Sequence, residues 1–282
     1  MIYFCKMQAT GNDFIIINVM TQKFRYSYGN LAKFLCNRKY GIGADGVIFI
    51  QKSEVAQAKM RIFNSDGTEA GMCGNGIRCL AKYLYEEGIV NTDCFKIETI
   101  SGIKDIQLSL ENKTVSYIKV DMGNPIFEYN KIPVIFPNIL EKSLQSLEVN
   151  CNDNEYIGYP ISMGNPHFVI FENELDKIDL EKSGRIIENY KYFPHKTNVE
   201  FVKVISRNKI KMLVWERGVG RTLGCGTGSC AAAVVSILKE YTNNEVIVEL
   251  EGGNVKIKYD VEENKVILSG TADRVFEGKI DI

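Results

Sequence analysis

Histidine is nearly absent from this sequence: His167 and His195 are the only two in 282 residues. No two cysteines stand in C-x-x-C spacing, so the pattern of a zinc site is missing and no metal is expected. Neither charge is in excess, 34 Lys and Arg against 35 Asp and Glu, a net of −1. Such a balance builds no field for nucleic acid or an anionic membrane. No apolar run reaches the ~20 residues of a membrane-spanning helix. The opening stretch MIYFCKMQATGNDFIIINVM holds one Lys and a short apolar run broken by Asn18, which does not read as a secretory signal. The expectation is therefore a cytoplasmic protein with reduced cysteines. Its length suits one large domain or two ordinary ones.

What the chain does have is eight cysteines, two of them in glycine-rich turns that open helical patterns: GMCGNGIRCLAKYL around Cys73 and LGCGTGSCAAAVVSIL around Cys225. Cys79 and Cys230 fall inside those helices and read as small core residues. Cys5, Cys36, Cys94 and Cys151 lie in strand-like or loop-like stretches. The two glycine turns are 152 residues apart (225 − 73). At that offset KMRIFNSDGTEAGMCGNG falls on KMLVWERGVGRTLGCGTG, which points to an internal duplication. Shifted by one more residue, GNDFII falls on GNPHFV.

Alternating patterns predict strands at GVIFI, FKIET, YIKVDM, NVEFVKVI, EVIVEL, VKIKYD and KVILSG. Helical patterns follow each glycine turn and recur at Tyr28–Arg38 and Leu180–Tyr190. The fold class is thus α/β with mixed sheets, in two similar halves that meet near Gly123–Pro133.

A helix start presents unpaired N–H groups and the positive end of the helix dipole. It binds carboxylates, and it lowers a cysteine pKa from about 8.5 toward roughly 3.5–7.5. Gly74, Gly76, Gly226 and Gly228 let a ligand approach the backbone closely. Two such sites suggest one thiolate removing a proton while a second thiol delivers one from the opposite face, which inverts a stereocentre. Three other readings stand beside this: incidental cysteines, a redox pair, and a weak dinucleotide fingerprint in GCGTGS.

At these residues the sequence closely resembles the diaminopimelate epimerase family, whose members work without pyridoxal phosphate. The resemblance runs through ATGNDFI, GIGADGV, MRIFNSDGTEAGMCGNGIRC, SMGNPH, TNVEFV, WERGVGRTLGCGTGSCAAA and GTADRVFEG. It implies interconversion of LL- and meso-2,6-diaminopimelate, in lysine and peptidoglycan precursor synthesis, with no cofactor. It implies two pseudo-symmetric domains, each a barrel-like mixed sheet around a central helix, with the active site in the cleft between them. The expected division is residues 1–124 with a returning strand at 272–282, and residues 125–271. A homodimer is the family's common assembly.

By the same resemblance, Cys73 and Cys225 are the catalytic pair, and Gly74, Asn75, Gly226 and Thr227 form the backbone cradle. Asn12, Asn64, Asn165, Asn198, Glu216 and Arg217 read the amino-acid substrate, with His167 in support near Glu216. Arg217 can grip a distal carboxylate in two-pronged fashion, and Glu216 can receive an ammonium. Plainer readings exist for each: turn asparagines at 12 and 165, a turn cap at 64, a strand-entrance cap at 198, a surface pair at 216 and 217, a core histidine at 167. His195, after Pro194, reads as surface. Two departures bear on substrate choice: Gly46, where some members carry Gln, and Arg221, where many carry Glu. Alternatives to the epimerase reading are an epimerase or racemase of another amino acid, or a non-catalytic homologue that binds amino acids or senses redox state.

Overall fold

Strands that run parallel cannot be joined by a tight turn; the chain must cross over, usually as a helix. The computed structural model describes residues 1–22, 25–136, 144–151 and 154–281. Four parallel strand pairs in it enclose four α-helices. The chain divides into two compact units, Met1–Asp121 with Ser269–Ile282, and Met122–Leu268.

In the first unit, strands Ile2–Ala9 and Asn12–Asn18 pair antiparallel across a tight turn. Thr10 and Gly11 hold that turn at φ of 54° and 76°, the left-handed region in which glycine is unstrained. Asn12–Asn18 runs parallel to Gly46–Gln51 across helix α1 (Tyr28–Cys36). Gly46–Gln51 pairs antiparallel with Ala58–Asn64, which runs parallel to Cys94–Thr99 across helix α2 (Gly74–Glu86). Gly102–Glu111 and Thr114–Gly123 continue as a meander. The free edge of Ile2–Ala9 is covered by the last strand of the chain, Asp273–Ile280.

The second unit repeats this plan. Asn154–Ser162 pairs antiparallel with Pro166–Phe171, and its other edge is covered by Leu147–Cys151. Pro166–Phe171 runs parallel to Asn198–Ser206 across helix α3 (Leu180–Glu188). Asn198–Ser206 pairs antiparallel with Lys209–Glu216, which runs parallel to Glu245–Leu250 across helix α4 (Gly226–Leu238). Gly253–Asp260 pairs antiparallel with Glu245–Leu250, and strand Lys265–Gly270 follows it. Helix starts Tyr28 and Leu180, and again Gly74 and Gly226, differ by the same 152 residues as the cysteines.

Burial explains why these segments fold so. Every residue of α4 except Thr227 and Leu238 is buried, and six strands of its unit pack against it. A helix apolar all round must be wrapped in this way. Helix α2 buries Gly74 to Ala81 and Leu84 against strands Ile2–Ala9, Asn12–Asn18 and Ala58–Asn64. The outer helices are amphipathic. Leu31 and Leu35 of α1 pack on Ile15, Val47 and Phe49, while Leu180 and Ile187 of α3 pack on Phe168, Val199 and Trp215. Cys36, expected in a strand or loop, instead ends α1 with its side chain in this core, because Leu31, Leu35 and Cys36 share one helical face. Among the described residues no helix is long and apolar enough to cross a membrane.

Candidate active site

Each cysteine of interest is the N-cap of its helix. Cys73 precedes α2 with φ −142° and ψ 119°, and its Sγ accepts from the Gly76 N–H at 3.4 Å. Cys225 precedes α4 with φ −119° and ψ 119°, and its Sγ accepts from the Gly228 N–H at 3.4 Å. Sulfur thus stands where Ser or Asp oxygen usually caps a helix, taking the third amide of the first turn. That N–H and the helix dipole both favour a thiolate. Cys73 is half-buried and Cys225 is buried.

Around Cys73 the first unit gathers amides, and behind them paired carboxylates and cations. Asn12 Oδ1 lies 3.8 Å from the sulfur, and its Nδ2 donates to Asp45 at 2.6 Å. Asp45 and Asp13 are both held by Arg38. Burial works against the Asp13 carboxylate, yet hydrogen bonds from Arg38 and Lys6 hold it well below the usual carboxylate range. Gly74 and Asn75 form the buried first turn of α2. Behind them stands Arg78, fully buried, donating to Gly74 O at 3.1 Å, Asn75 Oδ1 at 3.0 Å, Thr10 Oγ1 at 2.6 Å and Thr271 O at 3.2 Å. It ties the helix mouth to the Thr10–Gly11 turn. Asn64 ends its strand exposed, with its amide donating to Thr68 Oγ1 at 3.1 Å. At Gly46 an added Cβ would lie 2.8 Å from the Phe63 carbonyl, so this backbone leaves no room there for a side chain.

Around Cys225 the second unit gathers carboxylates and an imidazole. Thr227 Oγ1 lies 3.4 Å from Sγ, and Asn165 Nδ2 donates to that hydroxyl at 3.4 Å. Asn165 Oδ1 lies 3.0 Å from His167 Nε2, and His167 Nδ1 lies 2.7 Å from Glu200 Oε1. Glu216, half-buried, accepts from Thr222 Oγ1 at 2.6 Å. Burial raises the Glu216 carboxyl above its usual range, and the Glu200 charge adds to this. Burial, then the charges of Glu216 and Glu200, push the Cys225 thiol well above its ordinary value, against the Thr227 hydroxyl and the Gly228 amide. A helix mouth alone would have lowered it; burial, reinforced by the surrounding carboxylates, reverses the sign.

Asn198 is buried at the entrance of its strand, where Nδ2 donates to Pro166 O at 2.7 Å and Oδ1 accepts from the Arg217 N–H at 3.0 Å. The Arg217 side chain is exposed and reaches the carbonyl of the exposed His195. Arg221 is paired with Glu251, which balances its charge. Glu200 and Arg78, in TNVEFV and GNGIRC, are wholly buried, and a lone charge in a strand or helix pattern gives no signal of that. Among the described residues no group of three or more His, Cys, Asp or Glu is placed to hold a metal ion.

The family model for diaminopimelate epimerase matches residues 4–128 and 159–275. The chain is 43% identical over 282 residues to the diaminopimelate epimerase of Methanococcus maripaludis, covering 99% of each chain. It is 42% identical to that of Agathobacter rectalis, again covering 99% of each. Among solved structures, a phenazine biosynthesis protein of the PhzF family from Bacillus anthracis superposes with a TM-score of 0.69 at 21% identity. That match covers 100% of this chain and 99% of the other, and it shows the shared fold.

Proposed function

Because the chain belongs to the diaminopimelate epimerase family, and is thus an isomerase acting on a small amino acid, we propose that it inverts its substrate's α-carbon with Cys73 and Cys225 as the acid and base. One observation carries this reading. In two units of the same topology, each sulfur caps a helix at the same place and takes an N–H from the third residue of that helix. One thiolate removes the α-proton and the other thiol returns a proton to the opposite face; in the reverse direction the roles exchange. Backbone donors at Gly74, Asn75, Gly226 and Thr227 suit the substrate carboxylate, whose charge grows as the α-carbon loses its proton. Asn12, Asn64, Asn165 and Asn198 supply amides for the ammonium and carboxylate of one end. Glu216 and Arg217 serve the distal ammonium and carboxylate, and His167 supports them.

The substrate pair in this proposal is LL- and meso-2,6-diaminopimelate, and no cofactor takes part. The lobes are residues 1–124 with 272–282, and residues 125–271, one cysteine to each. A homodimer in the cytoplasm completes the reading. Incubation with LL-diaminopimelate in deuterium oxide should label the α-carbon. Cys73→Ala and Cys225→Ala should each lower epimerisation by about 100- to 10,000-fold, the contribution of a positioned acid or base. A single variant that keeps near wild-type turnover would remove the two-base assignment.

A further inference from the structure

Asn12 has two faces, and the chemistry beside Cys73 depends on which one it shows. A carboxamide carries an acceptor on one side and two donors on the other. Turned over, it would offer N–H groups to a carboxylate; as it stands, it offers an oxygen. Asp45 decides between the two. Its Oδ2 accepts from Asn12 Nδ2 at 2.6 Å. A carboxylate has no proton to give, so the nitrogen of Asn12 is the atom that faces it. The oxygen is left toward Cys73, with Oδ1 3.8 Å from Sγ.

Asp45 is itself held on both oxygens. Oδ2 also accepts from the Asp13 N–H at 3.1 Å, and Oδ1 accepts from Arg38 Nη2 at 2.9 Å. Arg38 grips Asp13 with both terminal nitrogens, at 3.1 and 2.8 Å. Asp13 in turn pairs with buried Lys6 at 2.7 Å, and Lys6 also donates to Gly43 O. The Asp45 N–H closes the ring on Asp13, 3.0 Å from both its carbonyl oxygen and its Oδ1. The shared topology does not call for this network. The strand pairs Phe14–Gly46 and His167–Asn198, and the helix starts Tyr28 and Leu180, match the two units. On that match Pro166, Tyr190 and Thr197 stand where the first unit has Asp13, Arg38 and Asp45. Asn165, which matches Asn12, turns its amide nitrogen to the Thr227 hydroxyl at 3.4 Å. A hydroxyl both donates and accepts, so it imposes no direction on an amide; a carboxylate does.

We propose that Asp45 is a positioning residue that fixes the Asn12 amide with its oxygen inward, so that the first unit takes an ammonium beside Cys73 and leaves the carboxylate to the Gly74 and Asn75 amides. The amino-acid head group is thereby oriented at the reacting carbon. A substrate with a carboxylate in the ammonium's place meets the negative end of a fixed amide dipole. The proposal rests on Asn12 touching the substrate, as in the preceding reading.

A polarity exchange tests it. In Asp45→Asn the donor-only guanidinium of Arg38 claims the single oxygen left at position 45. The new amide nitrogen then turns to Asn12, which flips and shows N–H groups to the ammonium. The KM for LL-diaminopimelate should rise by about 10- to 100-fold, the worth of one hydrogen bond to a charged group, and kcat should fall less. Asn12→Asp combined with Asp45→Asn puts the donor at 45 and an acceptor-only group at 12, so an oxygen faces inward again. This double variant should recover most of the lost KM. A role confined to holding the turn predicts no recovery, because the double variant lacks the same Arg38 and Asp13 bonds as Asp45→Asn. A folded double variant no better than Asp45→Asn would overturn the proposal, as would an unchanged KM in Asp45→Asn. A second readout needs no substrate. In nitrogen-15 NMR of the full-length protein, the Asn12 carboxamide is the side-chain signal missing from Asn12→Asp. One of its N–H protons should resist exchange with water in the wild type and lose that protection in Asp45→Ala; protection that survives would also overturn the proposal. A wild type inert toward LL-diaminopimelate, with that protection present and lost as expected, would leave the placement of Asn12 standing and count against the epimerase reading alone.

Discussion

Gly76 and Gly228 occupy the same place in their helices, three residues after the cysteine, but an added methyl group meets different neighbours. At Gly76 it touches the flexible ends of Ile48, Ile62 and Met60 at 3.1–3.2 Å. At Gly228 it would press on the Glu200 carboxylate at 2.6 Å and on Cys225 Cβ at 3.3 Å. Gly76→Ala should therefore cost about 1–3 kcal/mol from overpacking, partly offset by better helix propensity. Gly228→Ala should displace Cys225 itself and abolish turnover; thermal unfolding and epimerisation assays of both variants separate the two effects. Asp13 sets an acid limit. Its carboxyl is held below the usual range, so its contribution is fully present above the unfolded value of ~3.9 and drains as pH falls below it. Asp13→Asn should flatten that acid limb in urea titrations. At neutral pH it should cost about 3–5 kcal/mol, because buried Lys6 loses its counter-ion. The two cysteines were legible in the sequence because glycine spacing is a local signal. Glu200 and Arg78 were not, since a charge in a strand or helix pattern reads as solvent-facing until the cover on its second face is known.

Helix α3 does more than complete a crossover. Its last residue, Glu188, is buried and reaches the loop that carries Arg217. One oxygen accepts from Trp215 Nε1 at 2.8 Å, and the other accepts from the Gly218 N–H at 2.9 Å and pairs with Lys196. Burial opposes this carboxylate, yet these donors hold it below its usual range. Gly184, one turn earlier, lets the helix sit directly on the Trp215 ring. Glu188→Gln should loosen the Glu216–Gly220 turn and raise KM more than it lowers kcat, which steady-state kinetics on diaminopimelate would show. An unchanged KM would mean that the turn is held by its strands alone. The helices and the seven strands named from alternation could be read in advance because the 3.6- and 2-residue periods are written locally. The pairing of Lys209–Glu216 with two partners along one edge, Gly220–Thr222 and Glu245–Leu250, could not, since it depends on how far each neighbour extends.

At the scale of the whole chain, the first unit is discontinuous and the second is not. Strand Asp273–Ile280 supplies the edge partner of Ile2–Ala9, while Leu147–Cys151 supplies the equivalent partner in the second unit from close by. A fragment of residues 122–268 should therefore unfold cooperatively by circular dichroism, whereas residues 1–121 alone should not, because a strand edge with its N–H and C=O groups open invites association. The same asymmetry orders events on the ribosome. The unit made second finishes first, as soon as residue 268 has emerged. The strands made first wait for the last one, and at about 5–20 residues per second that delay is on the order of tens of seconds. For that interval the nascent chain carries an unclosed Cys73 unit, whose open edge is the surface that chaperones, or a second nascent chain, would meet.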